Sequence, residues 1–192
     1  METHHPRTLP RGLIPAAATL MLLAIPLVAM QYTHEVQWDP PDFLIMGVLL
    51  LGTGLGLEWA IRHEGPLALR AAWALALLST FLMTWVNMAT GLLGGESHPV
   101  NGLLLAVPML GLAGALLARL QPRGMALTLL AMAALQLALT AIAASQGWRP
   151  LHRGPIDIWG PNGFFILLFV SAAALFRLAQ WQHPLPNHNS LK

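Results

Sequence analysis

The chain has 192 residues, 56% of them apolar and only 9% charged, with ten Lys and Arg against eight Asp and Glu. A soluble domain carries about 25% charged residues, so a soluble globular protein is excluded and the solvent for most of this chain is lipid. The charge excess is too small and scattered for nucleic acid, and the absence of cysteine excludes disulfides, iron–sulfur clusters and thiol catalysis.

At about 20 residues per crossing, this length allows about six membrane spans with no separate soluble domain. Residues 1–11 are polar, with His4, His5 and prolines, and read as an N-terminal tail. The first apolar run, 12–30, follows Arg7 and Arg11; it lacks a small-x-small cleavage site and is long enough to span, so it reads as a retained helix kinked at Pro26. A loop over 31–41 holds His34, Glu35, Trp38 and Asp39, and Asp42 is placed to cap a second helix over 43–61. Glycines 47, 52, 54 and 56 stud that helix, and the Gly52/Gly56 spacing lets another helix approach closely. Glu58 and Arg62 stand four apart, acid first, the favourable order for a helical ion pair at the membrane interface.

The third span covers 69–93 and carries Trp73, Trp85 and Asn87. A short glycine-rich loop with Glu96, Ser97 and His98 follows, and Asn101 is expected to cap a fourth helix over 102–120 that contains Pro108. The fifth span, 125–144, is nearly all Ala, Leu and Met but holds Gln136 and Thr140 one turn apart. After the long loop 145–160, with Trp148, Arg149, His152, Arg153, Asp157 and Trp159, Asn162 is expected to cap a sixth helix over 163–180. Residues 181–192 read as a polar tail. The expected fold is thus all-α: a polytopic bundle of six transmembrane helices forming one domain over 12–180.

Basic residues orient it. With the N-terminus inside, Arg7, Arg11, Arg62, Arg70, Arg119, Arg123, Arg177 and Lys192 are internal and only Arg149 and Arg153 external, which puts both termini in the cytoplasm. Asp42, Asn101 and Asn162 begin outside-to-inside helices at offsets of 59 and 61 residues, which suggests three hairpin copies; any six-helix chain with short loops has a similar period.

The segment Trp85-Val86-Asn87 to Pro99-Val100-Asn101, with Gly94-Gly95-Glu96 between, resembles a segment of an uncharacterised family of small six-helix proteobacterial inner-membrane proteins. Similar features are Glu35-Val36-Gln37-Trp38, Asp42-Phe43, the glycines before Glu58, Arg123-Gly124-Met125-Ala126, Asn162-Gly163-Phe164-Phe165, Ser171 and Phe176-Arg177, over roughly residues 35–180. The resemblance implies the bundle and a bacterial inner membrane but no activity. Where the family has an acidic pair and Asn-Pro, this chain has Ser97-His98-Pro99.

Candidate chemistry is sparse. His34, Glu35, Glu96 and His98 are weak candidates for a metal site, since no pair has helical ligand spacing, and solvated loop residues account for them better. Asn87 and Gln136 are intramembrane amides; such groups line routes or fasten helices. With Glu96, His98 and Asn101 they form the candidate binding set. No histidine lies within a span, so haem between helices is not expected. No nucleophile–base pair, phosphate loop or catalytic set emerges, and no cofactor is expected. The sequence points to a non-enzymatic helix-packing partner or accessory subunit, as a homo-oligomer or with another membrane protein. The alternative is transport or binding of a proton, metal ion or small solute along a route from Glu96 and His98 to Asn87 and Gln136.

Overall fold

A computed structural model describes residues 10–94, 98–148 and 156–182, with side chains from 158 onward in the last stretch. The expected tail residues 1–9 and 183–192, Glu96, Ser97, Arg149, His152 and Arg153, and the side chain of Asp157 lie outside the described residues. The described chain is all-α. It forms two compact units that divide between Arg62 and His63.

The first unit is a helical hairpin of α1 (Leu13–Tyr32) and α2 (Pro40–Arg62). Gly12 enters α1 with φ of +83°, and Leu13 N–H donates to Pro10 O at 3.2 Å. α2 opens one residue before Pro41 rather than after Asp42. Asp39 and Asp42 exchange bonds: Asp42 N–H donates to Asp39 Oδ1 at 3.1 Å and Asp39 N–H to Asp42 Oδ2 at 3.0 Å. This is a reciprocal capping box, with Pro40 at the first helical position where its missing N–H costs nothing. Trp38 before the cap meets Phe43 edge-on with ring centroids 5.3 Å apart, which closes a hydrophobic staple. Asp42 therefore acts from the first turn, and Asp39 is the capping residue. α1 crosses α2 where Gly54 has no side chain: a Cβ there would lie 3.0 Å from Pro15 Cβ.

The second unit contains α3 (Leu67–Thr90), α4 (Asn101–Leu104), α5 (Ala106–Leu117), α6 (Pro122–Ser145) and α7 (Ile156–Gln182). α7 packs between α3 and α6, and α6 also packs on α5. One stripe of each long helix is buried. In α3 it runs Ala72, Trp73, Ala76, Ser79, Met83, Asn87; in α7 it runs Ile158, Asn162, Phe165, Phe169, Ala172, Phe176, Ala179. Both follow the three-and-four spacing of a single helix face. Trp73 and Phe176 close the α3–α7 contact edge-on, with ring centroids 4.9 Å apart. The opposite faces expose leucines, as a lipid-facing surface requires.

The fourth expected helix is broken. α4 and α5 are offset at Leu105, whose N–H donates back to Gly102 O. Pro108 explains the break: it has no N–H for Leu104 O, and its ring crowds that carbonyl. Together the two pieces cover Asn101–Leu117, a shorter apolar segment beside five helices long and apolar enough to cross a membrane. α5 ends in a Schellman motif, Leu120 N–H to Ala115 O and Arg119 N–H to Leu116 O, with Arg119 and Leu120 at φ of 49° and 58°. α6 ends in the same motif at Gly147, Trp148 N–H to Ala143 O, where glycine suits the left-handed position.

Two close approaches bind α5 to α6. A Cβ on Gly114 would lie 2.3 Å from Thr128 Cγ2, and one on Gly111 would lie 2.9 Å from Met132 Sδ. The sixth expected helix starts earlier than its apolar run: α7 begins at Ile156 and carries Pro161 inside it. Asn162 is therefore not a cap but an interior residue.

Candidate functional site

Every buried polar group in a membrane protein must be satisfied by the protein, because lipid offers neither donor nor acceptor. The segment after α3 makes this demanding. Gly91 ends the helix in a left-handed conformation, its N–H donating to Asn87 O. Leu92 and Leu93 then form a turn that is buried although it is not helical.

Side-chain amides supply what the turn lacks. Leu92 N–H donates to Asn87 Oδ1 at 3.4 Å, and Leu93 N–H to Asn101 Oδ1 at 2.9 Å. Leu92 O accepts from Asn162 Nδ2 at 3.3 Å. Asn87 Nδ2 donates to Asn101 O at 3.0 Å, which ties the end of α3 to the start of α4. Across the unit, Gln136 Nε2 donates to Asn162 Oδ1 at 2.8 Å, and Asn162 Nδ2 also reaches Ile158 O at 2.8 Å. Four amides thus join α3, α4, α6 and α7 around one irregular turn.

Asn87, Asn101 and Gln136 of the sequence-derived set meet here. Asn101 is 9% exposed and starts α4, but its side chain bonds Leu93 rather than capping its own helix. Asn162 was expected only as a cap, and it is the hub. Its signal is visible in the sequence: it falls on the same stripe as Phe165, Phe169 and Phe176. One group is left over, since Gln136 Oε1 is buried and has no partner among the described residues. Reversing that amide would set Gln136 Oε1 against Asn162 Oδ1, so the orientation is forced by the network.

His98 belongs to the same loop but is held differently. Its Nδ1 accepts from Val100 N–H at 3.2 Å, and its ring lies 5.6 Å from the Trp148 ring. A Cβ on Gly94 would lie 3.0 Å from the imidazole, so that glycine, at φ of +138°, makes room for it. Glu96 is outside the described residues. Among the described residues no group of three or more His, Asp or Glu is placed to hold a metal. His34 and Glu35 lie in the first unit, where His34 O accepts from Gln37 Nε2 at 3.0 Å.

Comparison with protein-family models, with curated proteins and with solved structures gives no match. The chemistry of the side chains therefore carries the argument alone. The four linked amides are neutral. They hold no nucleophile, acid or base, and all but one of the bonds described above run to backbone groups. Such an arrangement fixes the relative position of helices.

The first unit has its own polar contact. Glu58 Oε1 meets an Arg62 guanidinium nitrogen at 2.9 Å, and Glu58 Oε2 accepts from Gly12 N–H at 2.9 Å. The carboxylate therefore serves two ends at once: the last turn of α2 and the first orphan donors of α1, where a negative charge is favoured. The sequence predicts the Arg62 half of this contact. The Gly12 half needs the hairpin.

Proposed function

We propose that this multi-pass membrane protein is a non-enzymatic accessory subunit that packs its helices against another membrane protein or a second copy of itself. The observation that carries this reading is the hairpin taken by itself: α1 and α2 are both long and apolar enough to cross a membrane, and by pairing with one another they can cover only one side of each helix. Gly52, four residues before Gly56 on α2, adds a place of close approach for a further helix. The bonding of Asn87, Gln136 and Asn162 to backbone and to one another favours a fastening role over a solute route. The resemblance noted above and the eight-to-two division of basic residues support a bacterial inner membrane with both termini cytoplasmic.

Purification of the full chain in mild detergent tests this. A stoichiometric partner or a homo-oligomer, cross-linked through cysteines placed on α2 beside Gly52, is the expected result. A monomer that gives no cross-link at membrane concentrations would contradict it.

A further inference from the structure

The second unit has another polar feature at the end remote from the amide cluster. The start of α3, the α5–α6 turn and the end of α7 enclose a groove of about 1080 Å³. Leu69, Pro122 and Ala179 form apolar wall; Gln121, Arg123, Gln180 and Trp181 supply donors.

Three facts give the groove a sign. Among the described residues Arg123 has no ion pair or hydrogen bond of its side chain, although Glu64 lies on the rim. Two donor atoms at this end, shielded from solvent on half-buried residues, have no acceptor among the described residues: Gln180 Nε2 on the groove wall, and Arg70 Nε on α3 beside Leu69. Arg70 and Gln180 each stand one turn beyond the Trp73–Phe176 contact, on neighbouring helices. Finally, α3 and α6 both begin at this groove, at Pro66 and Gln121, and neither has a side-chain cap or an acid in its first turn. At the hairpin's α2 the same need is met by Asp39 and Asp42. Uncapped helix starts, the Arg123 guanidinium and the Gln180 amide thus border the groove, with Arg70 next to it and Glu64 as its one acid among the described residues; what the donors lack is an acceptor-rich anion.

We propose that this groove binds a phosphate group, the amphiphilic form being an anionic phospholipid whose headgroup sits against Arg123 and Gln180 while its chains follow the apolar wall. A phosphate offers several acceptor oxygens to a guanidinium and to helix N-termini. Basic pockets between membrane helices recognise lipid headgroups in this way. The same oxygens exist on a soluble phosphate, so the source is decided by experiment. The inference does not rest on the accessory role proposed above.

The full chain is purified in a neutral detergent, and retained phosphatidylglycerol is counted by native mass spectrometry as the lipid is titrated. A parallel arm titrates inorganic phosphate and follows tryptophan fluorescence. Arg123→Gln and Gln180→Glu should each weaken lipid retention about tenfold or more, as expected for loss of a charge-assisted bond. Arg177→Gln, an exposed charge near the same end but not on the groove, should change it less than about twofold. Inorganic phosphate binding with the same dependence on Arg123 and Gln180, and no lipid retention, would keep the site and assign it to a soluble phosphate. Equal losses from Arg177→Gln and Arg123→Gln would reduce the effect to diffuse surface charge and overturn the proposal. So would unchanged binding of both probes in Gln180→Glu.

Discussion

Replacing Asn162 by leucine, close in size but apolar, should destabilise the second unit far more than the same change at Gln136. Asn162 accepts from Gln136 Nε2 and donates to Leu92 O and Ile158 O. Ile158 O keeps its place in the helix ladder, so it is not counted. Gln136, which is fully buried, would lose its only side-chain partner and have both amide atoms unsatisfied. Leu92 O, in the buried turn, would lose the Asn162 donor. Leaving a buried group unsatisfied costs about 1–3 kcal/mol in water-soluble proteins, whereas interhelical bonds in membranes average about 0.6 and reach about 1.7 kcal/mol. Two such losses, taken on the membrane scale, give about 1–3.5 kcal/mol for Asn162→Leu. Gln136→Leu orphans Asn162 Oδ1 but also removes the unpartnered Gln136 Oε1, so those terms offset and the net cost should stay within about 1 kcal/mol. The double variant should recover part of the Asn162→Leu loss. Reversible unfolding in mixed micelles, read by circular dichroism against the denaturing detergent fraction, gives all four values. Equal costs for the two single variants, or an Asn162→Leu cost below about 0.5 kcal/mol, would refute the view that Asn162 is the hub.

Gly114→Ala should cost about 1–3 kcal/mol in the same assay, because Thr128 is short, branched and cannot move aside, while Gly102→Ala, with open space around it, should be near neutral; Thr128→Ala should rescue the former. Arg119→Gly should raise stability by about 0.5–1 kcal/mol by relieving a left-handed residue in a Schellman motif. A lower melting temperature would count against that motif. Glu58→Ala should loosen the hairpin by about 1–2 kcal/mol, through loss of the bond to Gly12 and the charge at the start of α1. Arg62→Gln should cost less, since its side chain is 50% exposed and its pair is screened. Faster hydrogen exchange at Gly12 in the first variant but not the second is the direct check.

Apolar runs made the helices legible, because crossing a bilayer demands them. Positions within them were less so. Asn101 and Asn162 look like caps in one dimension, since an amide ahead of an apolar run has that signature. Their real partners are the backbone groups of Leu92 and Leu93, and only the fold brings that turn between the helices. Gln136 and Asn87 were recognisable as buried amides, but not their linkage through Asn162. Pro108 was visible, yet whether a proline kinks or breaks a helix depends on what takes over its neighbours' bonds; here Leu105 turns back to Gly102. The start of α7 was hidden because Pro161 resembles a helix boundary. Glycines were readable as contact points only in kind: α1 meets α2 at Gly54, and Gly114 serves α5 and α6, whereas Gly52 stands open.

Because the chain has no cysteine, single cysteines report the path of the backbone without background. The central claim is that the chain crosses the bilayer at every long helix and again along the broken segment Asn101–Leu117, whose 17 residues extend at most about 26 Å and would cross only with local thinning of the bilayer. Cysteines at His34, Glu64, Gln121 and Gln146, all exposed, should be tested in intact cells with a membrane-impermeant thiol reagent. The account predicts labelling at 34 and 146 from outside, with 64 and 121 reactive only after the membrane is opened. Labelling of 121 from the same side as 34, or of all four without opening the membrane, would contradict it.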